Sequence, residues 1–251
     1  MFNNHPTFSP PADPNTKIWR YMDFSKLTDL LISSDLYFNR VDKFEDLFEG
    51  YLNTHTLELL RQGFVANNYP NPDEMVESIR NLNLIDRRLT YVNCWHINPF
   101  ESDAMWKTYI KANEGIAIQS TYQKLVASFD PNDSRILYVG SIKYCDFSNT
   151  QMPPGNMLWP FVHKRMSFAH ENELRVLHKE SIPSGMGTDM FNYDNNISST
   201  SFKTDLNVLI DTIYISPYAQ RWLHQLVHKL CVSLNFTFAI KMSEINDLSL
   251  I

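Results

Sequence analysis

The stretch FVHKRMSFAHENELRVLHK, from Phe161 to Lys179, decides how we expect this chain to fold, because charged and apolar side chains alternate along it. Glu171 and Glu173 stand two residues apart, and side chains at that spacing on a strand point to the same face. Arg175 comes next on that face, whereas the residues between them point the other way. The stretch therefore predicts a strand that crowds two carboxylates onto one side of a sheet.

Two interpretations of this pattern remain open from the spacing alone. Two like charges so close raise the pKa of at least one carboxyl group, which suits acid–base chemistry or the stabilisation of a cation. The same pattern is also typical of an exposed strand face on which Arg175 pairs with a glutamate.

The composition limits the classes of protein to consider. The 251 residues are 43% hydrophobic, enough for a sizeable core, and the net charge of -6 argues against a broad nucleic-acid-binding face. With 7 glycines the chain contains neither GxGxxG nor GxxxxGK, so the Rossmann and P-loop phosphate sites are excluded. Cys94, Cys145 and Cys231 form no CxxC pair, which indicates neither a zinc ribbon nor a disulfide framework and favours a reducing cytoplasm.

The beginning of the chain, MFNNHPTFSPPADPNT, has no positive start and no apolar run, so it does not resemble a targeting segment. We expect residues 1–16 to be a flexible tail. No stretch approaches the ~18 apolar residues of a membrane span, so a cytoplasmic protein without a membrane partner is predicted.

The remaining residues, 17–251, are predicted to form a single α+β domain. Alternation and β-forming residues predict strands at Lys17–Met22, Leu36–Arg40 and Arg88–His96, and helical spacing predicts a helix at 54–66. No shift in composition marks a domain boundary. We expect a mixed, mostly antiparallel sheet with flanking helices.

Two further segments offer candidate sites, each with a structural alternative. Arg20, between two aromatic residues, could bind a phosphate or carboxylate through two nitrogens, or point to solvent. The turn FNRVDKFEDLFEG is dense in oxygen ligands for a metal, but it lacks the pattern of an EF-hand loop, and a structured turn in which Phe44 and Phe48 fill the core is the favoured interpretation.

The segment CWHINPFESDAMW raises the same choice. Cys94 and His96 suggest nucleophilic catalysis, but they lie two apart on one strand, and cysteine is usually a small buried hydrophobe. Further on, Met105, Trp106 and Tyr109 share one face of a predicted helix, where we expect Trp106 to be buried.

Several segments together resemble the bacterial domain-of-unknown-function family 2971. They span roughly residues 17–178 and are IWRYMDF, LLISSDLYFNRVDKFEDLFEG, VNCWHINPFESDAMWKTYIKANEGIAI, ILYVGSIKYCDF and KRMSFAHENELRVL. That family name implies no established activity. The order of the segments is also similar to an ADP-ribosyltransferase-type fold, whose members have an arginine or histidine on an early strand, an aromatic or hydroxyl residue on a middle strand and a late glutamate, often within E-x-E.

The resemblance to ADP-ribosyltransferases implies NAD as a substrate and no metal. It implies Glu173 and Glu171 as catalytic residues. The NAD-contacting residues that it implies are Arg20, Tyr21, Tyr37, Asn39 and Ser120. The chain departs from the pattern in its middle element, because Ser120 and Thr121 follow their strand where the family usually has no Ser-Thr; Tyr37 is the alternative.

The chemistry that the resemblance implies is coherent. Breaking the bond between nicotinamide and ribose builds positive charge on the sugar. Glu173 would stabilise that charge, Glu171 would orient or deprotonate the acceptor, and Arg20 would hold a phosphate. We expect both glutamates to face a solvent-filled cleft.

Three functions are therefore predicted as alternatives. The first is an NAD-dependent enzyme that modifies a macromolecule, protein or nucleic acid, as a toxin or phage-defence effector with a neighbouring regulator or antitoxin. The second is a binding module without catalysis that recognises a nucleotide or a partner. The third is a metal-dependent nuclease that uses the acidic clusters.

Overall fold

The fold is organised around one large sheet. The computed structural model describes residues 2–109, 114–153, 155–182, 184, 190 and 193–246. The strands are β1 Lys17–Asp23, β2 Asp35–Arg40, β3 Thr90–Ile97, β4 Gly115–Thr121, β5 Tyr138–Ser141, β6 Lys143–Cys145, β7 His163–Arg165, β8 Glu173–Lys179, β9 Ser199–Lys203, β10 Thr212–Ile215 and β11 Ala239–Met242. The helices are α1 Phe24–Ser33, α2 Thr54–Ala66, α3 Pro72–Leu89, α4 Asp103–Tyr109, α5 Tyr122–Ser128, α6 Leu206–Leu209 and α7 Arg221–Ser233.

Nine of these strands form the large sheet, in the order β11-β10-β4-β1-β3-β2-β9, with β8 beside β3 and β5 beside β8. Its pairings are antiparallel except that of β10 with β11. Strands β6 and β7 form a separate parallel pair. Helices flank the sheet, so the predicted α+β class with a mixed, mostly antiparallel sheet is confirmed. No helix in the described ranges has the length and apolar character needed to span a membrane.

Strand β3 is the centre of the sheet, and it has three neighbours. Strand β8 pairs with it from Thr90 to His96 along one edge. The other edge is shared: β1 pairs only at Ile97 and His96, and β2 pairs only at Val92 and Tyr91. The sheet therefore opens between β1 and β2, and we call this opening the gap.

The main core lies on one face of the sheet. Side chains of the central strands pack there against α1 and α7, through residues including Phe38, Trp95, Leu27, Leu223 and Val227. On the opposite face, Val92 and Leu177 pack against Phe161, and farther along Trp19 packs near Trp106. Both faces of β3 are thus covered, which agrees with the nearly continuous apolar character of this strand.

Residues near the start of the chain pack on the sheet, where the sequence predicted a flexible tail over residues 1–16. The backbone N–H of Asn3 donates to the carbonyl of Leu137, and Phe8 is buried and stacks on Tyr138. Glycine at position 140 permits this approach, because a Cβ there would lie 2.9 Å from the backbone nitrogen of Ser9. The segment is held by burial of Phe8 and by backbone hydrogen bonds.

Trp106 is fully buried, as predicted, and its indole N–H donates to Glu101. We expect Trp106→Ala to lower the free energy of unfolding by about 3–5 kcal/mol, because the substitution opens a large cavity against Tyr21. Denaturant unfolding measures the loss. Trp222→Ala is the control, because Trp222 is 46% exposed and its removal should change little. Equal losses in the two variants would contradict the expectation. Tyr109, predicted on the same face, is exposed.

Candidate functional site

The gap contains the side chain of Arg20. Its Nη2 donates to the carbonyl oxygen of Tyr37 at 3.3 Å, and Asn93 donates to the same oxygen at 2.8 Å. The guanidinium lies 6.0 Å from the ring centre of Trp95. Its Nη1 is buried and has no hydrogen-bond partner within the described part of the chain. Arg20 therefore joins β1 to β2 across the gap and keeps one donor unused.

Cys94 lies on β3 at the gap, between the residues that pair with β1 and those that pair with β2. It is half-buried, whereas its neighbours Asn93 and Trp95 are fully buried. The thiol lies near the carboxylate of Glu173. Burial, and next the charge of Glu173, raise the pKa of this thiol well above its ordinary value. A nucleophilic cysteine needs the opposite shift, so the surroundings of Cys94 favour the structural alternative, a small buried side chain, over nucleophilic catalysis.

Below Cys94 lies a cluster of five buried charged side chains, which we call the charge cluster: Glu49, Lys164, Glu171, Glu173 and Arg175. Arg175 Nε donates to Glu173 Oε1 at 2.8 Å, and Arg175 Nη1 donates to Glu49 Oε1 at 2.7 Å. The Nζ of Lys164 lies 2.5 Å from Glu171 Oε2, 3.5 Å from Glu173 Oε2 and 3.7 Å from Glu49 Oε2. Three carboxylates therefore surround two cations.

Within the charge cluster, the pKa values of Glu171 and Glu173 are shifted in opposite directions. Burial alone would raise the pKa of Glu173, but the charges of Arg175 and Lys164 outweigh it and lower this pKa to about 2. Burial raises the pKa of Glu171, and Lys164 compensates for only part of that shift. Glu173 is thus held as an anion, whereas Glu171 is the more readily protonated group.

The local structure around the two glutamates differs from the prediction. Glu171 ends a 3₁₀ helix that spans Met166–Glu171, and only Glu173 belongs to β8. Between them Asn172 adopts a left-handed conformation, with φ 36°, which breaks the strand alternation. The two carboxylates still meet, because Lys164 binds both of them.

The expectation of a solvent-facing cleft around the glutamates is also wrong. Glu171 is 7% exposed and Glu173 is 4% exposed. The physical reason is the presence of Arg175 and Lys164, whose charges and hydrogen bonds compensate for the loss of hydration. An exposed strand face with a single Arg–Glu pair, the structural alternative, is excluded for the same reason.

The structure brings some of the implied NAD-contacting residues together. The side chains of Tyr37 and Asn39 lie on the face of the sheet that carries Cys94 and Glu173, whereas Arg20 extends from the opposite face into the gap. Tyr37 is exposed, and its hydroxyl donates to Asn39 at 3.4 Å. Tyr37 and Asn39 therefore lie along the β2 side of the gap, and Arg20 reaches it from β1.

Two other implied residues serve packing. Tyr21 is buried between Trp106 and His96, and its hydroxyl accepts from the backbone N–H of Ser102. Ser120 is fully buried on β4, outside the gap, and donates to the carbonyl oxygen of Leu209. Ser120 is thus separated from Cys94 and Glu173, and Tyr37 is the hydroxyl residue beside the gap.

The acidic side chains of the turn after β2 pair with different cations and do not converge. Asp42 pairs with Arg40 at 2.6 Å, Asp46 pairs with Arg165 at 2.8 Å, and Glu49 enters the charge cluster. Within the described ranges, no group of three or more His, Cys, Asp or Glu side chains is arranged to hold a metal ion. A structured turn is therefore the interpretation that these contacts support.

The remaining members of the site carry only weak signals in the amino-acid sequence. Lys164 lies in the segment HKR, which was compatible with a solvated face, and Glu49 was one of several acids in a turn. His96 was considered only as a partner of Cys94. One signal could have indicated these residues. If the strand in Phe161–Lys179 is buried, each of its carboxylates needs a nearby cation and each of its cations needs a nearby carboxylate.

Comparison with solved structures shows a similarity in fold. No family model and no curated protein matches the chain, so the resemblance to family 2971 stays a prediction. The chain is similar to the solved structure of DarT from Thermus sp. 2.9 in complex with NAD+, with a TM-score of 0.41 and 9% sequence identity. The match covers 94% of this chain and 98% of that chain.

Proposed function

We propose that this chain is an NAD-dependent, ADP-ribosyltransferase-like enzyme that transfers ADP-ribose to a macromolecule in the cytoplasm. The observation that carries the proposal is the buried charge cluster, which has one more carboxylate than cations and lies beside Cys94, the residue of β3 at the gap. An excess of fixed negative charge in a site shielded from water stabilises a cation strongly.

The proposed reaction develops a cation at C1′ of the ribose as the bond to nicotinamide breaks. Glu173 is the residue suited to stabilise it, because its pKa of about 2 keeps it ionised at neutral pH. It lies beside Cys94, the half-buried point of β3 at the gap. In this proposal Glu171, which is held by Lys164, orients the acceptor.

The binding of NAD is assigned to the gap. Arg20 has an unused, buried Nη1 donor there, and a guanidinium is well suited to a phosphate group. On the face of the sheet that carries Glu173, Tyr37 offers an exposed ring and Asn39 a side-chain amide. In this proposal the donors and the ring bind the dinucleotide, and the anionic Glu173 acts on its ribose as the bond to nicotinamide breaks.

A specific observation favours a second candidate, a binding module that recognises a nucleotide without catalysis. Arg175 donates to both carboxylate oxygens of Glu173, at 2.8 Å and 3.1 Å, so this carboxylate is already engaged. In that case the charge cluster would serve only to hold β8 beside Lys164.

The experiment that separates the two candidates uses the purified chain with NAD. First the melting temperature is measured with and without NAD. Nicotinamide release is then followed by mass spectrometry with water, cell protein or nucleic acid as the acceptor. Release supports the enzyme, a thermal shift without release supports the binding module, and the absence of both contradicts each.

Arg20→Met is expected to weaken NAD binding about 10–100-fold, because a hydrogen bond from a charged donor contributes roughly 1.5–3 kcal/mol. Calorimetric titration with NAD measures the change. Arg221→Met, on the exposed N-terminal end of α7, is the matched control and should bind NAD like the wild type. Equal affinity in both variants would remove Arg20 from the proposed site.

The biological role that we propose is that of a toxin or phage-defence effector, with a regulator or antitoxin encoded nearby. It is supported only by the resemblance to ADP-ribosyltransferases.

A further inference from the structure

His96 presents an unused hydrogen-bond acceptor on the same face of β3 as Cys94. It is 5% exposed, and its Nδ1 lies 2.6 Å from the carbonyl oxygen of Glu171. Because a carbonyl oxygen only accepts, Nδ1 carries the hydrogen and donates it. The neutral ring therefore has its lone pair on Nε2.

The Nε2 atom of His96 is buried and has no hydrogen-bond partner in the part of the chain that the structure describes. Buried polar groups are almost always paired, so an unpaired one requires an explanation, and a role in catalysis is among the usual ones. A structural role for His96 would be complete with the bond from Nδ1. That role does not explain why Nε2 is buried without a hydrogen-bond partner among the described residues.

The surroundings of His96 keep it neutral at physiological pH. The groups that face it are the phenol of Tyr21 on β1, Glu173 opposite it on β8, and Glu171 with His170 on the 3₁₀ helix. Burial lowers the pKa of the imidazole, the carbonyl of Glu171 raises it, and the charge of His170 lowers it further. The net shift is downward, so the lone pair is available.

We propose that His96 accepts the proton of the acceptor group during transfer; this inference rests on the proposed function. The bond from C1′ to nicotinamide breaks, and nicotinamide leaves as a neutral molecule with the electron pair. The hydroxyl or N–H group of the acceptor forms the new bond to C1′ and gives its proton to Nε2 of His96. The imidazolium then returns the proton to water.

His96 is better suited to this step than Glu171. The Oε2 of Glu171 is bound by Lys164 at 2.5 Å, so its lone pairs are partly occupied by a cation. Glu171 instead fixes the ring of His96 through its backbone carbonyl. The same segment would thus orient the acceptor through the Glu171 carboxylate and orient the base through the Glu171 backbone.

The test compares two substitutions, each of which keeps a polar group near one of the two nitrogen positions of the imidazole. His96→Asn retains a donor for the Glu171 carbonyl but lacks the atom that corresponds to Nε2. His96→Gln extends an amide toward the Nε2 position. His178→Asn is the matched control, because His178 is also buried and its Nδ1 lies 2.9 Å from a backbone carbonyl, that of Ile136.

Melting temperature, NAD affinity and the pH dependence of nicotinamide release are measured for each variant. We expect His96→Asn to bind NAD like the wild type and to lose about 10²–10⁴-fold in transfer rate. The wild-type rate should fall as the pH drops through the pKa of His96, and this acidic limb should be absent in the variant. His178→Asn should keep both the rate and the limb.

Two results would overturn the proposal, and they are distinguishable. If His96→Asn and His96→Gln keep the wild-type rate and acidic limb, His96 is structural and the proposed function is unaffected. If the wild type itself releases no nicotinamide with any acceptor, the proposed function fails, and the role of His96 fails with it.

Discussion

Replacing Arg175 with methionine is expected to lower the free energy of unfolding by about 3–5 kcal/mol, because it leaves buried carboxylates without their main partner. The Arg175 guanidinium is fully buried and donates to Glu173, to Glu49 and to the carbonyl oxygen of Phe161. Methionine fills a similar volume but offers no donor to any of these oxygens.

Denaturant unfolding at neutral pH measures this loss. Arg61→Met is the control, since Arg61 pairs with Asp73 at 2.6 Å on an exposed surface and such pairs contribute little. A second variant, Arg175→Met with Glu173→Gln, should recover part of the stability, because it also removes one unpaired carboxylate. If Arg175→Met is as stable as the control, the charge cluster does not hold β8 in place.

The pH dependence of stability provides an independent check on the same pair. The pKa of Glu173 is lowered from the ordinary value of 4.5 to about 2 in the folded chain. Its contribution to stability is therefore fully present above pH 4.5 and is lost as the pH falls toward 2. Arg175→Met should lose less stability over this interval than the wild type, because its Glu173 lacks the cation that holds the pKa down.

The elements that were predictable from the sequence are those fixed by local patterns. The helix predicted at 54–66 begins and ends there, and the side chain of Asn53 caps it by accepting from the N–H of Thr56. The strand predicted at Lys17–Met22 extends one residue farther, to Asp23. Caps and alternation act within a few residues, so a single segment contains the information for both.

The charge cluster was not predictable in the same way. Arg175 and Glu49 are 126 positions apart, and the sequence of neither segment indicates that they meet. The left-handed conformation of Asn172 moves Glu171 off the strand, although its spacing from Glu173 suggested otherwise. The burial of both glutamates follows from these long-range contacts, which is why a solvent-facing cleft was the wrong expectation.

Glu173→Gln is expected to lower the rate of nicotinamide release about 10²–10³-fold, if the chain is the enzyme that we propose. The amide keeps the shape of the side chain and removes the negative charge that stabilises the cation at C1′. Binding of NAD should change little, because it is assigned to Arg20 and the rim of the gap. Rates are compared at a temperature where circular dichroism shows each variant folded, since Glu173 is buried and its loss also reduces stability.

Glu171→Gln is the matched variant, because it removes a neighbouring carboxylate that is also bound to Lys164. Release of nicotinamide should continue there with water as the acceptor, whereas labelling of a macromolecular acceptor should fall. The two substitutions remove the same charge from the same charge cluster, so a general electrostatic effect would lower both rates equally. Equal loss in the two variants would therefore contradict a specific role of Glu173 at C1′, and a greater loss in Glu173→Gln would place the developing cation beside that carboxylate.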